Sequence, residues 1–202
     1  MIVIGLTGGI AAGKSSVSRE LAARGARIID GDMASRAVVR PGEPALEALV
    51  ETFGTWILAP DGTMDRKVVG DRVFTDTDFR NRFDAIMDTY VTGKMESWLH
   101  QARVARVPVT VVDSALLYEA GWDKWCDGGV VWVDCDQEMR IARLMVRNTL
   151  TRAEALARIE SQGDIMAHRN KSRWIVNNNG AWQDLTREID RVWAGLVPKI
   201  PA

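Results

Sequence analysis

The chain has 202 residues, 47% of them hydrophobic and 26% charged, a balance that predicts a single globular domain over 1–202 with a core of useful size. A formal net charge of −1 supplies no global basic field, which argues against nucleic acid or an anionic membrane as partner. Two cysteines, Cys126 and Cys135, lie outside any C-x-x-C spacing, so neither a disulfide scaffold nor a zinc site is expected, and both read as small buried thiols.

The chain opens on "IVIGL" (Ile2–Leu6), a short apolar run that reads as a buried strand and passes straight into a glycine loop. It has no charged n-region and no cleavage site, and no later run approaches the roughly 18 apolar residues of a membrane span. A cytoplasmic protein without membrane association is expected. Lys14–Arg24 follows as a helix, with Val17 and Leu21 at i, i+4 and Ala22 widening the stripe. Further strands are predicted at Ala26–Asp30, Val107–Asp113, Gly129–Asp134 and Arg173–Asn178. Their near-continuous apolar character points to a parallel sheet covered on both faces. Helices are predicted at Asp136–Asn148, at Thr151–Gln162, where Thr151 and Glu154 match a capping box, and at Ala181–Leu196. Alternating strands and helices argue for a doubly wound α/β fold. About 75 residues of mostly helical pattern separate Gly31 from Arg106, far more than a crossover needs. An insertion is therefore expected over 33–105, and a second, arginine-rich excursion over 140–169.

Gly8, Gly13, Lys14 and Ser15 satisfy G-x-x-x-x-G-K-[ST] between a strand and a helix, the context a phosphate loop requires. Backbone N–H groups approach phosphate only where side chains are small, and Gly8, Gly9, Ala11, Ala12 and Gly13 leave Ile10 as the one bulky residue. The helix start adds its partial positive charge. Lys14 reaches the β- and γ-phosphates, and the Ser15 hydroxyl is the candidate Mg²⁺ ligand. The loop implies a nucleoside triphosphate but no particular reaction. A GTPase lacks its N-K-x-D reader here, because "NKSR" (Asn170–Arg173) has no Asp and precedes its strand. A motor or transporter ATPase would need modules for which the chain has little room. A small-molecule kinase needs an acceptor-binding insertion and an arginine-bearing cover that excludes water, and both excursions fit.

After the second strand comes "DGDMASR". Asp32, at the carboxyl edge of the sheet, is a candidate to accept a hydroxyl proton, or else the N-cap of a helix over Met33–Val39. Asp30 reads as structural. Arg36, one turn beyond Asp32, suits an acceptor phosphate or a surface ion pair.

At this point the sequence resembles the dephospho-coenzyme A kinase family over nearly its whole length. "GLTGGIAAGKSS" looks like the family's phosphate loop, and "IIDGDMASR" its D-A-D-x-x-A-R segment with Gly31 for Ala. "FGTWILAPDGTMDR" is similar to its F-G…G-x-L-N-R stretch, with Arg66 matching and Asp65 replacing Asn. "VVDSALLYEAG" looks like V-P-L-L-F-E, "RIARLMVRN" with "EALARIESQ" resembles the lid, and "IVNNNG" resembles the loop that packs on adenine.

The resemblance implies ATP- and Mg²⁺-dependent transfer to the ribose 3′-hydroxyl of dephospho-coenzyme A, the last step of coenzyme A synthesis. It implies a three-layer P-loop kinase fold with a five-stranded parallel sheet of order 2-3-1-4-5, a helical acceptor-binding insert and a lid. ATP is then expected at Ala11–Ser16, which includes Ser16, and at Asn178, the adenine-side asparagine. Asp32 matches the base, and Arg143 and Arg147, at i, i+4, match the lid arginines. Leu116 and Leu117, with Tyr118 as neighbour, would line the acceptor pocket or else belong to the core. Glu119 serves the pocket or caps the following turn. The chain departs from the family where Asp88 and Thr89 stand for His-Pro, Ala115 for Pro, Arg140 for the lid Gln, and Ser172-Arg173 for Ala-Asp. Asp88 falls in the acceptor-binding half, so two other readings stay open. One is a kinase of the same fold acting on another acceptor, such as a nucleotide. The other is a nucleotide-binding regulatory protein without turnover.

Overall fold

The computed structural model describes residues 1–162 and 165–196. Five parallel strands form one sheet: β1 (Ile2–Gly8), β2 (Arg27–Asp30), β3 (Val109–Asp113), β4 (Val130–Asp134) and β5 (Trp174–Asn177). Their order is β2-β3-β1-β4-β5, as the resemblance implied. β1 lies at the centre with every residue buried, and its register sets Leu6 against Asp113 of β3 and Gly5 against Val130 of β4. It runs to Gly8, two residues beyond the predicted end, because pairing with Val133 of β4 carries the ladder into the glycine loop.

The chain divides into two compact units, Met1–Ile29 with Gln101–Ala202, and Asp30–His100. In the first, α1 (Lys14–Ala23) and α9 (Trp182–Leu196) pack on the sheet and on each other. Their stripes, Val17 and Leu21 of α1 and Leu185, Ile189, Val192 and Leu196 of α9, join Ile4, Leu6, Val111, Val131, Val133 and Val176 in one core. Fully burying one such side chain contributes roughly 1.5–3 kcal/mol. Leu117 is also fully buried, against Gly5, where an added Cβ would lie 3.0 Å from its Cδ2. Leu117 therefore belongs to the core.

The rest of the first unit includes α6 (Gln137–Asn148), α7 (Arg152–Glu160) and α8 (Met166–Lys171). The capping box at the start of α7 is formed as predicted, with Thr151 and Glu154 each accepting from the other's backbone N–H. The two thiols are free. Burial pushes that of Cys126 up to about 12, an inert side chain at neutral pH.

The second unit is built from α2 (Gly31–Ala37), α3 (Pro44–Phe53), α4 (Arg66–Thr75) and most of α5 (Thr77–Val104). Phe53, Phe79 and Phe83 form an aromatic row, with centroids 4.3 Å apart for the first pair and 6.0 Å for the second. Among the described residues, no helix is long and apolar enough to cross a membrane.

Candidate functional site

The glycine loop is built by β1, which delivers the chain to Gly8, and by α1, which takes it up at Lys14. Gly8 has φ 152°, and a Cβ there would lie 2.7 Å from the Val133 carbonyl. Gly9 is packed under Arg140, whose Cζ would be 2.7 Å from an added Cβ. Ala11 holds φ 59°, a left-handed conformation that costs an L-residue roughly 1–2 kcal/mol. Gly13 has φ 101° and is the N-cap of α1, with no side chain closing the helix start. The Ala12 N–H closes a turn on the Gly9 carbonyl at 3.0 Å, and the Ser16 N–H is taken by Gly13 at 3.0 Å. Among the described residues, the amides of Ala11, Gly13 and Ser15 bond to no protein acceptor. These amides form the concave face expected of an anion site.

The loop's carbonyls are held from the opposite side. Arg143 Nη1 donates to Ala11 O at 3.3 Å and to Ala12 O at 3.2 Å, and Nη2 donates to Asn178 O at 3.0 Å. Asn178, buried, donates Nδ2 to Ala12 O at 2.7 Å, while its own N–H goes to Asp134 O at 2.8 Å. A carbonyl drawn toward a guanidinium and an amide turns the N–H of its own peptide the other way, so bracing Ala12 O leaves the Gly13 N–H turned outward. Lys14 Nζ reaches the Gly8 carbonyl at 3.3 Å. Gly13→Ala combines positive φ with overlap on Asn178 Nδ2. It is expected to lower stability by about 1–3 kcal/mol and to abolish nucleotide binding, as read by thermal denaturation and a nucleotide titration.

Arg143 and Arg147 share a helix but not an environment. Arg143 is half-buried against the loop, whereas Arg147 is exposed and donates Nε to Asn148 at 3.0 Å. Arg140, one turn before Arg143, is buried, and burial lowers its pKa. It donates Nε to Ile10 O at 2.9 Å and Nη2 to Gln162 Oε1 at 3.1 Å. Gln162 and Arg140 are site residues that the sequence pattern does not reveal. No local signal marks either one, since their partner lies at the other end of the chain.

Beside Gly8 opens a cleft of about 260 Å³ whose lining includes Thr7, Ala115, Leu116, Glu119 and His168. Leu116 is exposed, unlike Leu117. Glu119 lies 3.6 Å from His168 Nδ1, and the Tyr118 hydroxyl is 2.9 Å from that of Ser172. Asp113 ends β3 beside β1 and is buried.

In the second unit, Asp30 is the N-cap of α2, accepting from the Met33 N–H at 3.0 Å. Asp32 is therefore not the cap that the sequence allowed. It stands exposed in the first turn of α2, its carboxylate bonded to no group among the described residues. Arg36, in the last turn of α2, is exposed. Arg66 is the first residue of α4 and is exposed, presented by Asp65, which caps that helix by accepting from the Lys67 and Val68 N–H groups. Asp serves there as Asn would.

The Ser15 hydroxyl is exposed and bonded to no protein group among the described residues. A neutral oxygen donor at the end of a phosphate loop fits Mg²⁺, which keeps most of its shell as water and phosphate oxygen.

Comparison with known proteins accords with this geometry. The family model for dephospho-CoA kinase matches residues 2–184. A dephospho-CoA kinase of Geobacter sulfurreducens is 41% identical over 98% of this chain and 100% of its own length. Among solved structures, a Thermus thermophilus protein superimposes with TM-score 0.76 at 29% identity, covering 96% of this chain and 97% of its own. A dephospho-CoA kinase from Campylobacter jejuni shares the fold, with TM-score 0.73 at 21% identity and 98% of each chain covered.

Proposed function

The chain belongs to the dephospho-CoA kinase family, and from that premise we propose how its residues divide the transfer of the ATP γ-phosphoryl group to the ribose 3′-hydroxyl of dephospho-coenzyme A. The observation that carries the reading is the phosphate loop whose Ala11 and Ala12 carbonyls are held by Arg143 and Asn178 while the amides of Ala11, Gly13 and Ser15 stay open. The amides of Ala11, Gly13 and Ser15 bind the β-phosphate region, with Lys14 spanning the β- and γ-phosphates. Gly8 and Gly9 admit the phosphates without steric conflict, and Ala12 and Ser16 shape the loop around them. Mg²⁺ would be held by the Ser15 hydroxyl and would supply positive charge that offsets that of the phosphates. We assign Asp113, buried at the end of β3 beside β1, a supporting role for that charge.

Asp32 takes the proton as the 3′-oxygen bonds to the γ-phosphorus. The bond from that phosphorus to the bridging oxygen breaks, and ADP leaves. Arg36 and Arg66 hold acceptor phosphates, and the cleft with Leu116 and Glu119 takes part of the acceptor body. The helical segment 33–105 is the acceptor insert and 140–169 the lid, both within one kinase domain over 1–202. We assign Asn178 a bracing role on the loop beside the adenine site, because its amide is already engaged by Ala12. The protein acts as a cytoplasmic enzyme on a small-molecule substrate, with neither nucleic acid nor membrane as partner.

The test is ADP release from Mg·ATP with dephospho-coenzyme A, run beside a panel of nucleoside monophosphates, with the product identified by mass. Release with dephospho-coenzyme A and formation of coenzyme A are expected. Release with a monophosphate alone would reassign the acceptor, and nucleotide binding without release for any acceptor would make the chain regulatory. The two lid arginines separate in the same assay. Arg147→Ala is expected to lower kcat roughly tenfold or more with an unchanged melting temperature. Arg143→Ala should lower both, because it also leaves loop carbonyls unbraced.

A further inference from the structure

Phosphate binding gives no reason for the bulk of Ile10, which stands between Gly9 and Ala11 in a loop of small residues. Its side chain packs, with Ala11, against the lid's own small core: Ile141 and Leu144 of α6, Ala155 and Ile159 of α7. Its peptide is gripped on both sides. The Ile10 N–H donates to Gln162 Oε1 at 2.7 Å, and its carbonyl accepts from Arg140 Nε at 2.9 Å. Arg140 Nη2 donates to the same Gln162 atom at 3.1 Å. Two donors converging on one amide atom identify it as the oxygen. The Arg140 guanidinium is buried and bonds only to these two uncharged acceptors among the described residues.

The geometry points to a latch in which Ile10 and Gln162 couple the lid to the phosphate loop. The stance of α6, which carries Arg143 and Arg147, and the shape of the loop are then set together. This deepens the phosphoryl-transfer reading and rests on it for its consequence in catalysis. Leu150 and Leu156 join that core from the lid's own side, and the six together are still few to hold two helices in place alone. Ile10 completes it from outside, so whatever seats the loop also seats the lid. The Ile10 amide is engaged by Gln162 and is not offered to phosphate. Ile10 and Gln162 are positioning residues: they act through the loop and through Arg143 and Arg147.

The test uses the full chain and amide hydrogen exchange without nucleotide, beside steady-state kinetics. Ile10→Ala is expected to speed exchange across Arg152–Glu160 roughly tenfold or more while leaving α9 unchanged, with Ile10→Val intermediate. Gln162→Leu, which keeps the bulk but removes the acceptor, should deprotect the Ile10 amide and lower kcat roughly tenfold. Gln162→Glu keeps an oxygen for both donors and should restore both readings. The latch is overturned if Ile10→Ala leaves exchange in α7 as in the parent, or speeds it uniformly through α9. It is also overturned if Gln162→Glu behaves no better than Gln162→Leu. Exchange needs no turnover, so a parent inactive on dephospho-coenzyme A would undo the proposed acceptor and leave the latch to be judged separately.

Discussion

Lys14→Ala is expected to reduce phosphoryl transfer to the background of the assay while the protein stays folded. Lys14 is the cation that the phosphate loop itself carries, and its Nζ donates to the Gly8 carbonyl at 3.3 Å, at the start of the loop. As the bond to the γ-phosphorus breaks, negative charge grows on the bridging oxygen and the β-phosphate. A fixed ammonium in a water-poor site offsets that charge without reorganising. Loss of one such preorganised donor costs roughly 10²–10³ in kcat, and in the proposed reading Lys14 serves two phosphates at once. The side chain is half-buried and adds little to the core, so the melting temperature should move by less than the activity suggests. Rapid-quench measurement of coenzyme A formation, beside thermal denaturation, checks both halves. Wild-type rates in Lys14→Ala would mean that the loop does not hold the reacting triphosphate.

Asp32→Asn should lower kcat by roughly 10²–10⁴, the range of general-base contributions, and leave ATP affinity nearly unchanged. Asp30, not Asp32, caps α2, so replacing the Asp32 carboxylate removes no helix cap. The Asp32 side chain is exposed and bonded to no group among the described residues, so asparagine costs no internal hydrogen bond. That separation makes the experiment clean: a fall in kcat without a fall in stability has no structural explanation. ATP dissociation constants by calorimetry, kcat at saturating acceptor and a melting curve give the three readings. An unchanged kcat would remove Asp32 from the proton transfer.

Much of the fold was legible because its signals are local. A buried strand ending in glycines, a stripe at helical spacing in α1 and α9, and a capping box at Thr151 depend on residues within a few positions of one another. All three appear in the structure. The alternatives that the sequence left open were also local in origin. Asp30 and Asp32 are both able to cap, and one residue of offset decided between them. Leu116 and Leu117 are adjacent and chemically alike, yet one is exposed and the other seals Gly5. Which of the two faces the core follows from how β3 leaves the sheet, and no periodicity exists over two residues.

The phosphate loop, its lysine and its following helix could be identified without coordinates, because an eight-residue motif suffices to bring backbone amides around an anion. How that loop is kept in shape could not. Arg143 reaches the Ala11 and Ala12 carbonyls across 132 and 131 positions, Asn178 reaches Ala12 across 166, and Gln162 reaches Ile10 across 152. Each bond exists because β4 lies beside β1 and β5 beside β4, which brings the segments after these strands to the carboxyl edge of β1. Arginine, asparagine and glutamine have no spacing rule over such distances. Their partners are chosen by strand order and by the need to satisfy carbonyls and amides that the fold has removed from water.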